Sequence, residues 1–143
     1  MHSLLVKAGS GAAALTAGAG LLLATASSAV ADTPQVSISV QGPATLIAHG
    51  AAINVPVIAD CSVIGGIASV NVSASQAVGK RTAFGVGSTQ IGCTGLPQTM
   101  LVQIGSNGVP FSKGGNVLVT ASIFICGDTA CGQAVDQAII KIK

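Results

Sequence analysis

Cys61, Cys93, Cys126 and Cys131 are the residues of this sequence with the clearest capacity for chemistry. Thiolates ligate zinc, run thiol–disulfide exchange, or close structural cross-links. Four residues separate Cys126 from Cys131 and no histidine lies nearby, which is a poor zinc pattern. The C-x-x-C spacing of disulfide oxidoreductases is missing. An even cysteine count in an exported chain implies disulfides. Three connectivities exist, and the spacing favours Cys61–Cys93 with Cys126–Cys131. The second pair brackets Gly127-Asp128-Thr129-Ala130, a loop between two strand patterns. Facing residues near a hairpin end stand about 4.5–5.5 Å apart, a span that a disulfide bridges.

The remaining chemistry-bearing residues are sparse. His49 is the one histidine beyond His2, and it precedes Gly50 in a turn pattern. A Ser-His-Asp site would have to recruit it, yet no G-x-S-x-G elbow is present. Asp32, Asp60, Asp128 and Asp136 are scattered, and the chain has neither Glu, Trp nor Tyr. Glycoside hydrolysis needs two carboxyls about 5–10 Å apart across a sugar cleft. Calcium needs several converging oxygens. Gly79-Lys80-Arg81 and Phe84-Gly85-Val86-Gly87 lack the Walker pattern and a following helix, so these glycines read as sites of close sheet packing or bulges. Asn71-Val72-Ser73 matches a glycosylation sequon, relevant only to a eukaryotic secretory route. The expectation is a non-enzyme with no catalytic residue, no metal ligand, no cofactor-binding residue and no cofactor.

The elements that position these residues follow from the pattern. Residues 1–31 read as a signal peptide. Lys7 supplies the positive charge, Ala8 to Ala26 the apolar stretch, and Ala29-Val30-Ala31 an A-x-A cleavage site before Asp32. Glycine, serine and threonine interrupt the apolar stretch and no basic flank follows, which argues against a membrane anchor. The expected product is a secreted domain, 32–143, extracellular or held in the cell wall, with no membrane association after cleavage. Its five cations, Lys80, Arg81, Lys113, Lys141 and Lys143, face four aspartates, a net charge of +1. Nucleic-acid binding needs clustered positive charge, and only Lys80-Arg81 and Lys141/Lys143 are close in sequence. The partners left open are cell-wall polymer, another protein or a small apolar ligand.

The 32–143 segment holds 14 Val and 13 Ile against 4 Leu. β-Branched side chains favour the pleated surface over the helix. Alternating runs predict about eight strands: Val36–Val40, Ala44–Ala48, Ile53–Cys61, Ala68–Ser75, Arg81–Thr89, Gln98–Ile104, Asn116–Cys126 and Ala134–Lys143. Gly42-Pro43, Gly65-Gly66, Gly105-Ser106-Asn107-Gly108 and Lys113-Gly114-Gly115 punctuate them. The number and spacing predict an all-β, immunoglobulin-like antiparallel sandwich of 7–8 strands, with a closed barrel as the alternative. Pro56 cannot donate to a ladder, which predicts an edge strand or a bulge there and favours the open sandwich.

The Ala/Gly-rich leader, the Ser/Thr-Val-rich strands and the closing Cys126-Gly-Asp-Thr-Ala-Cys131-Gly-Gln resemble small secreted immunoglobulin-like proteins of actinobacteria. The C-x4-C ending is also similar to that of neocarzinostatin-type chromoprotein apoproteins. The resemblance implies a secreted sandwich, with small-molecule carriage through a cleft as the activity of the second group. It assigns no binding residues. Gly92-Cys93-Thr94-Gly95-Leu96-Pro97 is the nearest candidate for an inhibitor loop of the subtilisin-inhibitor type, but neither Pro97 nor the cysteine spacings suit it.

Overall fold

The computed structural model describes residues 33–143. The leader 1–31 and its cleavage site lie outside the described residues. Eight strands run β1 Val36–Val40, β2 Thr45–Ile47, β3 Ala52–Cys61, β4 Ile67–Val78, β5 Arg81–Gly92, β6 Gln98–Ser106, β7 Asn116–Cys126 and β8 Cys131–Lys141. Among the described residues one 3-10 turn, Ala48–Gly50, interrupts them. The hydrogen-bonded order is β1-β3-β6-β5-β4-β7-β8, with β2 beside β1 on β3. All strand ladders are antiparallel.

The path folds into the two layers of an immunoglobulin-like sandwich. One layer is β1/β2, β3 and β6; the other is β5, β4, β7 and β8. They join at both margins through short links. Gly85 and Val86 of β5 pair with Ser106 and Gly105 of β6. At the other margin Ala44 meets Ile142 in a parallel bridge. Period-two alternation decides which side chains enter the interior. From β4 come Ala68, Val70, Val72 and Ala74, and from β7 Val117, Val119, Ala121, Ile123 and Ile125; Ile53, Val55, Val57 and Ala59 of β3 face them. Each Val or Ile among them contributes about 1.5–3 kcal/mol when fully enclosed.

Pro56 corrects the expectation drawn from it. β3 is an inner strand, flanked by β6 on one side and by β1 and β2 on the other. The missing N–H falls at the break between β1 and β2. There Gln41 N donates to the Pro56 carbonyl at 2.9 Å, and the chain then turns away through a cis Gly42-Pro43 peptide. Proline is tolerated because its partner strand ends opposite it.

Two glycines on β5 set how closely the layers approach. A Cβ on Gly85 would stand 2.3 Å from the Gly105 carbonyl oxygen, and one on Gly87 would stand 2.2 Å from that of Gln103. Any side chain there pushes β5 off β6. Gly79 alone of the two β4–β5 turn residues has positive φ, +58°, as a type II′ hairpin requires.

The long β6–β7 connection is held by Gln76, a buried polar residue with 2% exposure. Its Nε2 donates to the Ser112 carbonyl at 2.9 Å and its Oε1 accepts from Ser112 N at 2.7 Å. The two disulfides cap the opposite end. Cys61–Cys93 is buried and ties β3 to the segment after β5. Cys126–Cys131 is exposed and closes the β7–β8 hairpin.

β8 has β7 on one edge. On its other edge, Ala44 N donates to the Lys141 carbonyl and Lys143 N donates to the Ala44 carbonyl, both at 2.9 Å. Upstream, Cys131 to Ile139 has no strand partner on that edge among the described residues. β1 packs beside β8 there without forming a ladder, and Val40 N donates to Asp136 Oδ2 at 2.8 Å.

Candidate functional site

The outer surface of the β5-β4-β7-β8 layer is built by the alternate positions that the core does not use. Register places them in straight rows across the four strands. One row runs Phe84, Ser75, Leu118, Ile139. The next are Val86, Ser73, Thr120, Gln137, then Ser88, Asn71, Ser122, Val135, then Gln90, Ser69, Phe124, Gln133. No charged side chain stands on these four rows. The centre, Asn71, Ser73, Thr120 and Ser122, carries hydroxyls and an amide, and apolar side chains alternate with polar ones around it: Val86 is 63% exposed and Ile139 70%.

An open groove of about 480 Å³ crosses the grid, lined by Asn71, Ser73, Val86, Ser88, Thr120 and Ser122 among others. A second open depression continues it along Ser69, Asn71, Ser88 and Gln90. Gln137 Nε2 donates to Thr120 Oγ1 at 2.9 Å across β7 and β8, fixing one donor–acceptor pair at the groove margin. Short side chains along β4 leave the groove; Phe84, Leu118 and Phe124 frame it. Chemically the surface can offer hydrogen bonds to uncharged polar groups and flat apolar contact beside them, with no ion to desolvate.

Of the residues singled out from the sequence, Asn71 and Ser73 of the sequon and Phe84 and Val86 of the glycine-rich run lie on this surface; the others do not converge on it. Asn71 of the sequon is exposed at its centre. His49 is exposed in the 3-10 turn with φ +54°. Asp60 lies on β3, Asp128 in the β7–β8 turn, and Asp136 is engaged by Val40 N. Among the described residues no three His, Cys, Asp or Glu gather as a metal site would need. Sequence reasoning missed the surface as a unit. Ser69-Asn71-Ser73-Ser75 is legible as the wet side of one strand, but its neighbours come from segments up to 70 residues away in the chain.

No protein-family model matches the chain, and no curated protein matches its sequence. Among solved structures it is similar to AggA, the major subunit of aggregative adherence fimbriae type I from Escherichia coli. The TM-score is 0.44 and the identity 10%, over 80% of this chain and 97% of that one. Disulfides are the mark of folding in oxidising compartments. Among the described residues no helix is long and apolar enough to cross a membrane.

Proposed function

We propose that this protein is an exported, non-catalytic β-sandwich that works at the cell surface by binding an uncharged stretch of cell-wall polymer along the outer face of β5-β4-β7-β8. The single observation that carries the reading is the uncharged face of hydroxyls and amides with exposed apolar side chains interspersed around it. A glycan presents hydroxyls and C–H faces in the same alternation. Binding it exchanges hydrogen bonds with water for hydrogen bonds across the interface at small net cost. The cleavable leader and the resemblance to small secreted actinobacterial immunoglobulin-like proteins support export. The chemistry-bearing side chains stand apart on separate elements, which supports binding over catalysis.

The test is sedimentation of the exported protein with isolated cell walls at about 0.5 M salt, where the Debye length shrinks to a few ångströms. Asn71→Leu with Ser122→Val removes polar groups from the groove without changing charge. A loss of wall binding of tenfold or more, with the circular dichroism spectrum unchanged, is the expected result. Undiminished sedimentation of that variant refutes the reading. An absorbing small molecule that stays bound through purification selects the chromophore-carrier function instead.

A further inference from the structure

The fold gathers every cation of the described residues at one end of the sandwich. Lys80 and Arg81 form the tip of the β4–β5 hairpin. Asn116 and Lys141 pair at the same end of β7 and β8. Strands are spaced about 4.8 Å apart, so Arg81 and Lys141 stand about 14 Å from each other across the layer. Lys113 falls between these groups. Gly114 N donates to the Ile142 carbonyl at 2.8 Å and Ile142 N to the Gly115 carbonyl at 3.0 Å, while Ser112 is clasped by Gln76 near the end of β4. Lys143 completes the cluster, and all five side chains are exposed. Asp60 and Asp128 sit at the opposite end, beside the two disulfides, and Asp136 lies midway along β8. A domain of nearly balanced charge is therefore strongly polarised along its long axis.

We propose that this basic pole is a docking site for a linear polyanion, a polymer carrying phosphate or carboxylate groups at regular intervals. The inference stands apart from the neutral face described above. Five cations at one end of the sandwich, with no carboxylate side chain among them, raise the local potential and concentrate anions there. Among the described residues the far pole carries two aspartates, Asp60 and Asp128, against the five cations that head-to-tail stacking of copies would have to match. An extended anionic chain engages several cations at once. Lys80, Arg81, Lys113 and Lys141 are the contacts assigned to it.

The experiment measures binding of the exported protein to long-chain polyphosphate and, in a second arm, to poly-glutamate, between 50 and 200 mM salt. Each cation on a flexible polyanion releases about 0.7 counterion, so four contacts predict about a 50-fold loss of affinity over that range. Lys113→Ser with Lys141→Ser leaves two contacts and reduces the loss to about sevenfold. Binding in one arm alone identifies phosphate or carboxylate as the anion; binding in both identifies charge as the common determinant. Asp60→Asn with Asp128→Asn raises net charge by the same two units at the far pole and leaves affinity within about twofold if location governs binding. A salt slope unchanged by the double lysine substitution overturns the proposal. So does a salt-sensitive self-association that Asp60→Asn with Asp128→Asn abolishes, which would assign the pole to a second copy of the chain. Failure here leaves wall binding at 0.5 M salt untouched, so the two readings fall separately.

Discussion

Replacing Gln76 by leucine tests whether one buried amide holds the β6–β7 connection to the sandwich. The side chain is 2% exposed and makes two hydrogen bonds, at 2.9 and 2.7 Å, to the backbone of Ser112. Leucine keeps most of the volume and removes both bonds. A typical intramolecular hydrogen bond contributes about 1 kcal/mol net, and a buried orphan costs about 1–3 kcal/mol more. Ser112 is itself exposed, so water reaches its freed groups and the larger penalty is avoided. The expected loss is about 2 kcal/mol, or about 8 °C in Tm for a domain of this size. The assay is urea unfolding followed by far-ultraviolet circular dichroism, since the chain has no Trp or Tyr to report by fluorescence. The midpoint falls while the denaturant slope stays constant. Gln76→Glu adds a pH signature. It replaces the amide donor with an acceptor aimed at a carbonyl, so burial raises the folded-state pKa of the new carboxyl. Stability relative to the parent is then best below the unfolded value of about 4.3 and is lost as pH rises through the raised folded value. A change below about 0.5 kcal/mol in Gln76→Leu, or a Gln76→Glu variant indifferent to pH, refutes the reasoning.

Three further perturbations probe other supports of the fold. Gly85→Ala places a methyl against the Gly105 carbonyl and costs more than about 2 kcal/mol through displacement of β5 from β6, read as a drop in Tm. Removing Cys61–Cys93 by double alanine substitution frees a loop closed over 32 residues and costs about 3.7 kcal/mol, whereas removing Cys126–Cys131, closed over 5, costs about 2 kcal/mol; denaturation of the two variants side by side gives the ranking. Asp136→Ala deletes the side-chain hydrogen bond from β8 to the β1 backbone and lowers stability by about 1–2 kcal/mol, with faster amide exchange at Val40 as its local mark.

The strands were legible where alternation is strict and illegible where pairing alone defines them. β7 carries β-branched or small residues at every second position, and its limits follow from that pattern; β4 runs from Ile67 to Val78, beyond the expected Ala68–Ser75, because Gln76 to Val78 are paired with Arg81 to Ala83 of β5. β5 runs on to Gly92, past the expected Thr89, because Gln90, Ile91 and Gly92 are ordered by their partners on β4. β8 begins at Cys131 and not at Ala134, since the hairpin ladder extends to the Cys126–Cys131 pair. Pro56 misled because its tolerance depends on where β1 breaks, a property of another segment. The same logic hid the candidate surfaces. Lys113 joins Lys80, Arg81 and Lys141 only through the β6–β7 connection, and the neutral face exists only once four registers are fixed.

The unpaired margin of β8 has a consequence at high protein concentration. From Cys131 to Ile139 it offers a ready rail of amides and carbonyls, which is how sheet proteins stick to one another. Its lateral side chains include no lysine before Lys141, so ordinary repulsion does not guard it. Asp136 stands in for that guard. Held inward by the Val40 amide, its carboxylate confronts any strand that tries to extend the layer, and a newcomer would have to dehydrate it. The same contact that staples β1 to β8 thereby sets a carboxylate in the path of a further strand.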